Sequence, residues 1–380
     1  MRHGCLPNAA DFFPGASLDG GPWRLQRGAH RNQYFGTLQR VPSCNKVAKS
    51  IGKETAVTLF FKTLFLAPIV GLLLLSSCGP GPETRGTDAR LQVTATIFPL
   101  YDFARNVGGD LVSVKMLLPP AADAHHYELR PDDIVRASKT DIFLFTSFEM
   151  EPWAYKIINA AAEKTNMLAV EAGQGTFLIP LSGEHEHRTD HPSSHPENGN
   201  EQTAKFDPHI WLDFANAQKM IDNIAAALIN RDPVNSEIYK RNAESYKSKL
   251  VKLDQEYREQ LSKCKTRTIL HAGHWAFAYL AKRYDLEYSA AYNMSADAEP
   301  SPQQILTMIG EVKKQKLSYI YFEDLTAPRL ARTIAGETGA GLLRLTNGHD
   351  ISKSDFQSGV SFIALMERNL VHLKKGMQCR

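Results

Sequence analysis

From Leu91 to Leu373, short runs rich in β-branched and aromatic residues alternate with stretches of helical period, an order that few folds can satisfy. Leu91–Thr96, Leu111–Leu118, Asp141–Phe145 and Met167–Val170 read as strands, with helices predicted at Pro99–Asn106, from Pro131 through Ala137, and at Trp153–Ala162. The second half repeats the pattern, with strands at Arg267–Leu270, Leu317–Phe322 and Leu342–Leu345 and helices at Ala276–Tyr284, Pro302–Lys314, Pro328–Thr338 and Val360–Leu373. Such alternation predicts an α/β protein of two lobes, each a parallel sheet flanked by helices, with ligands at the loops beyond the strand carboxyl ends. Between the halves lie a helix from Asp213 to Leu228, a turn at Asp232-Pro233 and a second, longer helix. Tyr239, Ala243, Tyr246, Leu250, Leu253, Tyr257 and Leu261 form its apolar stripe, long enough for a rigid rod of about 40 Å. The expected organisation is a lobe over 91–234, a linking helix over 235–263 and a lobe over 264–380, with a ligand cleft between the lobes.

The chain has 380 residues, room for two domains, and 44 basic against 41 acidic residues, a net charge of +3 that predicts no attraction to nucleic acid. Upstream of the alternation, Leu64–Cys78 (LFLAPIVGLLLLSSC) follows Lys53 and Lys62 and ends in small residues and a cysteine. It is short for a ~30 Å hydrocarbon core and right for the apolar part of a secretory signal. Leu75-Ser76-Ser77-Cys78 resembles a bacterial lipobox, which would make Cys78 a lipid-modified N-terminus followed by a Gly/Pro-rich tether over 79–90. The region 1–78 is therefore read as an N-terminal extension plus a lipoprotein signal peptide and is set aside from fold reasoning. Of the five cysteines, Cys264 and Cys379 are the two left in the folded part, and an exported protein can pair them.

Three histidines occupy comparable places. His125 follows a strand, His209 sits in Asp207-Pro208-His209-Ile210-Trp211-Leu212-Asp213 ahead of a helix, and His274 follows a strand in His271-Ala272-Gly273-His274-Trp275. A borderline-soft divalent ion such as zinc takes three or four nitrogen, sulfur or oxygen ligands in a tetrahedron, and three imidazoles converging on a cleft meet that need. For any one histidine taken alone, a satisfied structural residue is the more common outcome, and the long spacing matches no zinc-finger pattern. Between Gly183 and Lys205 periodicity vanishes in a polar run carrying His185, His187, His191 and His195, a loop whose neutral imidazoles would hold metal weakly or be plain solvated linker.

Asp123-Ala124-His125-His126-Tyr127-Glu128, the Asp207–Asp213 segment, His274-Trp275-Ala276-Phe277 and Phe322-Glu323-Asp324-Leu325 together resemble the ordered motifs of the zinc/manganese-specific solute-binding proteins of bacterial ABC importers. The resemblance runs from about Leu91 to Lys375. It implies two α/β lobes joined by a rigid helix, with the metal between them, and makes His125, His209 and His274 the first three ligands. Histidine at the third place resembles the zinc group, whereas many manganese-binding relatives carry glutamate there. Ala124 stands where the family usually has proline, and the family's late Leu-Asp-Pro-Leu segment is replaced by Leu345-Thr346-Asn347-Gly348-His349-Asp350. The fourth ligand implied is His349, with Asp350 or a water as alternatives. His271 is expected to play a structural or supporting role, Glu323 to pair with a neighbouring group, and Trp153 and Trp211 to be core.

The resemblance implies a membrane-tethered, monomeric lipoprotein that captures extracytoplasmic Zn(II) and hands it to an ABC permease and its ATPase, the His-rich loop acting as a feeder. Alternatives are a protein for manganese, Mn(II), or another divalent metal, an adhesin, and, from a different class, a secreted zinc hydrolase. Against an enzyme stands the absence of H-E-x-x-H, G-x-S-x-G and Walker A sequences.

Overall fold

Among the described residues there are eight short strands, seven of them from the apolar runs, and their burial follows their place in two sheets. A computed structural model describes residues 90–162, 165–181, 206–292, 300–323 and 328–380. The lipobox Cys78, the loop histidines His185, His187, His191 and His195, and Asp324 and Leu325 of the fourth motif lie outside the described residues. In the first lobe β1 (Leu91–Ala95), β2 (Val112–Met116), β3 (Ile142–Phe145) and β4 (Leu168–Glu171) pair in parallel in the order β2-β1-β3-β4. In the second, β5 (Thr268–His271), β6 (Glu287–Ala290), β7 (Tyr319–Phe322) and β8 (Gly341–Arg344) repeat that order as β6-β5-β7-β8, again all parallel. Central β3 and β5 are buried along their whole length, because helices cover both faces of a parallel sheet. In each sheet the chain moves outward in opposite directions from the inner pair, β1/β3 and β5/β7, and the crevice at their carboxyl ends is where such sheets bind ligands.

In chain order the helices are α1 (Phe98–Gly108), α2 (Pro131–Ala137), α3 (Ala154–Ala162), α4 (Phe214–Arg231), α5 (Ser236–Leu261), α6 (Ala278–Arg283), α7 (Pro302–Gln315), α8 (Arg329–Thr338), α9 (Lys353–Gln357) and α10 (Phe362–Gly376). Proline opens α2 and α7, where its missing N–H costs nothing. The long helix α5 has 26 residues, about 39 Å at 1.5 Å per residue. Its buried side chains are the seven of the predicted stripe.

One hydrophobic core runs through α5 into both lobes, joining Val93 and Phe143 of the first to Tyr321, Phe362 and Leu373 of the second, while a smaller cluster underlies α7 and α8. Polar contacts rivet this junction. Asp102 on α1 accepts from Tyr246 Oη of α5 at 2.6 Å and from the backbone N–H of Phe362, at the start of α10, at 3.1 Å. Tyr257 Oη of α5 donates to the Met366 carbonyl at 2.6 Å. Arg283 of α6 pairs with Asp254 of α5 and Asp213 ahead of α4, each at 2.7 Å. Cys264, just past α5, is disulfide-bonded to Cys379 near the C-terminus.

Two elements escape the sequence pattern. β6 is a fourth strand in the second lobe, yet Glu-Tyr-Ser-Ala has neither an apolar run nor a clean alternation; it is held as an edge strand by pairing with β5 alone. α9 is a five-residue helix capped by Ser352, too short to show a period. The helix predicted from Ala276 begins at Ala278 instead, and the Ala276 N–H donates to Tyr288 Oη at 2.9 Å.

Candidate metal centre

All four candidate histidines stand in loops beyond strand carboxyl ends, and each has its backbone N–H held by a side-chain oxygen. Asp123 Oδ1 accepts from His125 N, Asp207 Oδ1 from His209 N, and Asn347 Oδ1 from His349 N, all at 2.9 Å. These are Asx turns, in which a short polar side chain mimics a backbone turn two residues on. The fourth, His274 N, donates to Glu323 Oε1 at 2.9 Å. The pattern is legible in the sequence: of thirteen histidines, only His125, His209 and His349 have aspartate or asparagine two residues before them. That signal would have found His349 without any resemblance.

Further bonds fix each loop. The Trp153 indole N–H donates to the Ala124 carbonyl at 2.8 Å, beside His125. Tyr279 Oη of α6 donates to the Asp207 carbonyl at 2.8 Å, and Trp211 Nε1 donates to the Asn347 carbonyl at 2.7 Å. The His209 segment, which leads into α4, is thereby bonded to two elements of the second lobe. Near His274, a Cβ on Gly273 would lie 2.4 Å from His271 Cε1 and 2.6 Å from Glu323 Oε1, so only glycine lets the ring and the carboxylate close in. Gly348, with φ of 85°, supplies the left-handed residue that turns the chain into His349.

The four imidazoles meet. All six ring-to-ring separations among His125, His209, His274 and His349 lie between 5.2 and 6.2 Å. His209 Nε2 is 3.4 Å from His125 Nε2 and 3.3 Å from His274 Nε2. One ligand atom from each of His125, His274 and His349 falls within 4.8 Å of the other two; His209 is not in that trio and joins it through the two Nε2 contacts. In a tetrahedron with metal–nitrogen bonds of ~2.0–2.1 Å, ligand nitrogens are about 3.3–3.4 Å apart. Two of the edges already have that length.

Tautomers follow from the partners. His209 Nδ1 faces Asp207 Oδ1 at 2.9 Å and His274 Nδ1 faces Glu323 Oε1 at 2.7 Å. Ionised carboxylates only accept, so each Nδ1 carries a hydrogen and Nε2 is left as the atom that takes a proton or a metal. Two lone pairs 3.3 Å apart in a buried site repel unless a proton or a cation lies between them. His349 Nδ1 is buried without a hydrogen-bond partner among the described residues.

Burial first, and then the neighbouring imidazoles, push His125 and His349 well below the ordinary histidine range. Burial also lowers His209, against the opposing pull of Asp207. His274 is the exception: burial works against its charge, but the Glu323 carboxylate outweighs it and raises its pKa. Glu323 is correspondingly lowered, burial being overcome by His274. His271, the last residue of β5, lies beside the cluster without joining it; burial lowers it to about 4, and its Nδ1 contacts the His274 carbonyl at 3.2 Å. Asp350 is buried, and its charge adds to the pull of Glu323 that raises His274. Trp153 and Trp211 are core, as expected, and their indoles also tie down the histidine loops.

Residues 93–376 match the family model described as zinc-uptake complex component A, periplasmic. The chain is 32% identical over 313 residues to the zinc-binding lipoprotein AdcA of Streptococcus pneumoniae, which covers 82% of this chain and 60% of that protein. It is 31% identical to the high-affinity zinc uptake system protein ZnuA of Bacillus subtilis, over 80% of this chain and 94% of the relative. Among solved structures, the Zn(II)-bound ZnuA-like domain of Streptococcus pneumoniae AdcA superposes with a TM-score of 0.63 at 30% identity, covering 76% of this chain and 99% of that domain. The chain thus spans about 60% of the length of the AdcA relative.

Proposed function

Since the chain belongs to the zinc-uptake complex component A (ZnuA) family, we propose that it is the high-affinity zinc-binding component of an ABC metal importer, with Zn(II) as cargo held by His125, His209, His274 and His349. The observation that carries this reading is the pair of buried Nε2 atoms of His209 and His274 facing each other at 3.3 Å, with each Nδ1 held by a carboxylate, among four mutually adjacent imidazoles. Such a set is suited to a cation and to little else. Four neutral nitrogens favour zinc over manganese, whose preferred donors are oxygens. Asp207 and Glu323, each bonded to the far side of a ligand ring, place two negative charges opposite the two positive charges of the ion.

Capture then amounts to exchange. Without metal, a proton on His274 Nε2 can sit between the rings of His274 and His209; zinc displaces it, and the other three imidazoles are already neutral. Asx turns and indole hydrogen bonds preset the loops, so little ordering is left for binding to oppose. Release falls to the permease, which must displace a histidine loop, because the continuous core through α5 resists a wide swing of the lobes. In this reading the chain is tethered outside the cytoplasmic membrane through lipid on Cys78, works as a monomer with a permease and its ATPase, and gathers metal through His185, His187, His191 and His195. A secreted hydrolase is disfavoured, since the glutamate nearest the imidazoles, Glu323, is committed to His274 and is not a free general base.

X-ray absorption at the zinc edge of the zinc-loaded chain tests the assignment. Four nitrogen scatterers at ~2.0–2.1 Å with imidazole outer-shell features are expected. A shell containing sulfur, or dominated by oxygen, would overturn it.

A further inference from the structure

Asn347 stands where three of the site's elements meet, and nothing in the family pattern assigns it a role. It is fully buried. Its carbonyl takes the Trp211 indole N–H at 2.7 Å, its Oδ1 takes the His349 N–H at 2.9 Å, and its Nδ2 points to Glu323 Oε2 at 3.4 Å. The amide orientation is fixed by chemistry: a backbone N–H must donate to Oδ1, which turns the NH₂ toward the carboxylate. Glu323 in turn holds the backbone and ring of His274.

We propose that Asn347 is a positioning residue for metal capture, which sets His349, His274 and the His209 segment in register through three separate bonds. This rests on the metal-binding reading above. The residue type is specific. Asp123 and Asp207 make the same turn before His125 and His209, but at those places no carboxylate faces the second side-chain oxygen. At 347 an aspartate would set a lone pair against Glu323, whereas the amide offers an acceptor on one side and a donor on the other. Serine would keep the turn acceptor, but its shorter side chain would not reach Glu323. Alanine loses both.

The test uses the full chain, stripped with chelator, and compares wild type with Asn347→Ala and Asn347→Ser by competition against a zinc chelator and by the visible spectrum of the Co(II)-loaded protein. Loss of an outer hydrogen-bond partner of metal-bound histidine typically lowers affinity 10–100-fold. Asn347→Ala is expected to fall in that range and Asn347→Ser near its lower end, about 10-fold. Both are expected to shift or weaken the tetrahedral Co(II) bands at saturation, since two ligand rings lose their orientation. Should alanine yield no folded protein, the serine variant carries the same test. Affinity within twofold of wild type, or a loss accompanied by an unchanged Co(II) spectrum at saturation, overturns the proposal, because a purely structural role lowers stability without altering the bound ion's geometry. If wild type itself binds neither metal, it is the metal-binding reading that fails.

Discussion

Replacing Glu323 with glutamine probes how the site holds its proton. Four ordinary histidines with pKa near 6.5 would each be half protonated at pH 6.5, and zinc would expel about two protons. Here burial and mutual repulsion keep His125 and His349 well below that range and His209 below it. Only His274 is raised, by Glu323 at 2.7 Å from its Nδ1. At pH 6.5 zinc binding should therefore release no more than about one proton, drawn from His274, and below the pKa of His274 the apparent affinity should fall about tenfold per pH unit. In Glu323→Gln the amide oxygen still accepts from Nδ1 but the charge is gone, so burial dominates and His274 joins the neutral set. Proton release at pH 6.5 should drop toward zero and the pH dependence above 6.5 should flatten, while affinity at pH 8 falls 10–100-fold for loss of the carboxylate. Calorimetry in two buffers of different ionisation enthalpy counts the protons. Release of about two protons by wild type, or the same count in both proteins, would refute the reasoning.

Other outcomes follow from the same contacts. His125, His209, His271 and His349 have folded pKa values below the unfolded value, so the unfolded chain binds more protons and metal-free stability is lost as pH falls below about 6.5. His271 alone, at about 4, is expected to contribute about 2 kcal/mol of that loss by pH 5, and urea melts at pH 7.5 and 5 of wild type against His271→Phe measure it. His274 has the opposite sign, its stabilisation being present in acid and lost as pH rises through its folded pKa, and it offsets part of the loss. Cys264→Ser with Cys379→Ser opens a loop of 115 residues and should lower stability by about 2–4 kcal/mol in denaturant titrations, with zinc affinity unchanged, since Cys264 precedes the amino end of β5 whereas His274 follows its carboxyl end. Trp211→Phe keeps one aromatic ring but removes the N–H to the Asn347 carbonyl and part of a fully buried volume, so both zinc affinity and the thermal transition should fall.

Much of this was legible in the chain. Period and β-branching found seven of the eight strands, because buried parallel strands such as Ile142–Phe145 read as unbroken apolar runs. The stripe of α5 was complete, since a helix buried along one side leaves a 3.6-residue trace. β6 was missed because an edge strand needs little apolar character, and α9 because a single turn has no period. Of the site, His125, His209 and His274 were visible as histidines wedged between apolar segments, whereas His349 rested on resemblance although Asn347-Gly348-His349 repeats the Asp-x-His pattern of the other two. Glu323 pairs with a neighbouring group as expected, but its partner and the role of Asn347 were opaque, because a hydrogen bond between residues 49 positions apart, as between His274 and Glu323, leaves no local trace.

Zinc binding by the chelator-stripped chain, wild type beside a variant with His125, His209 and His274 all changed to alanine, tests the central claim most directly. The account predicts one tightly held zinc per wild-type chain, competing with a strong chelator at pH 7.5, and its loss in the variant, with any remaining zinc weak and attributable to His185, His187, His191 and His195. Equal tight binding by the two proteins would contradict it.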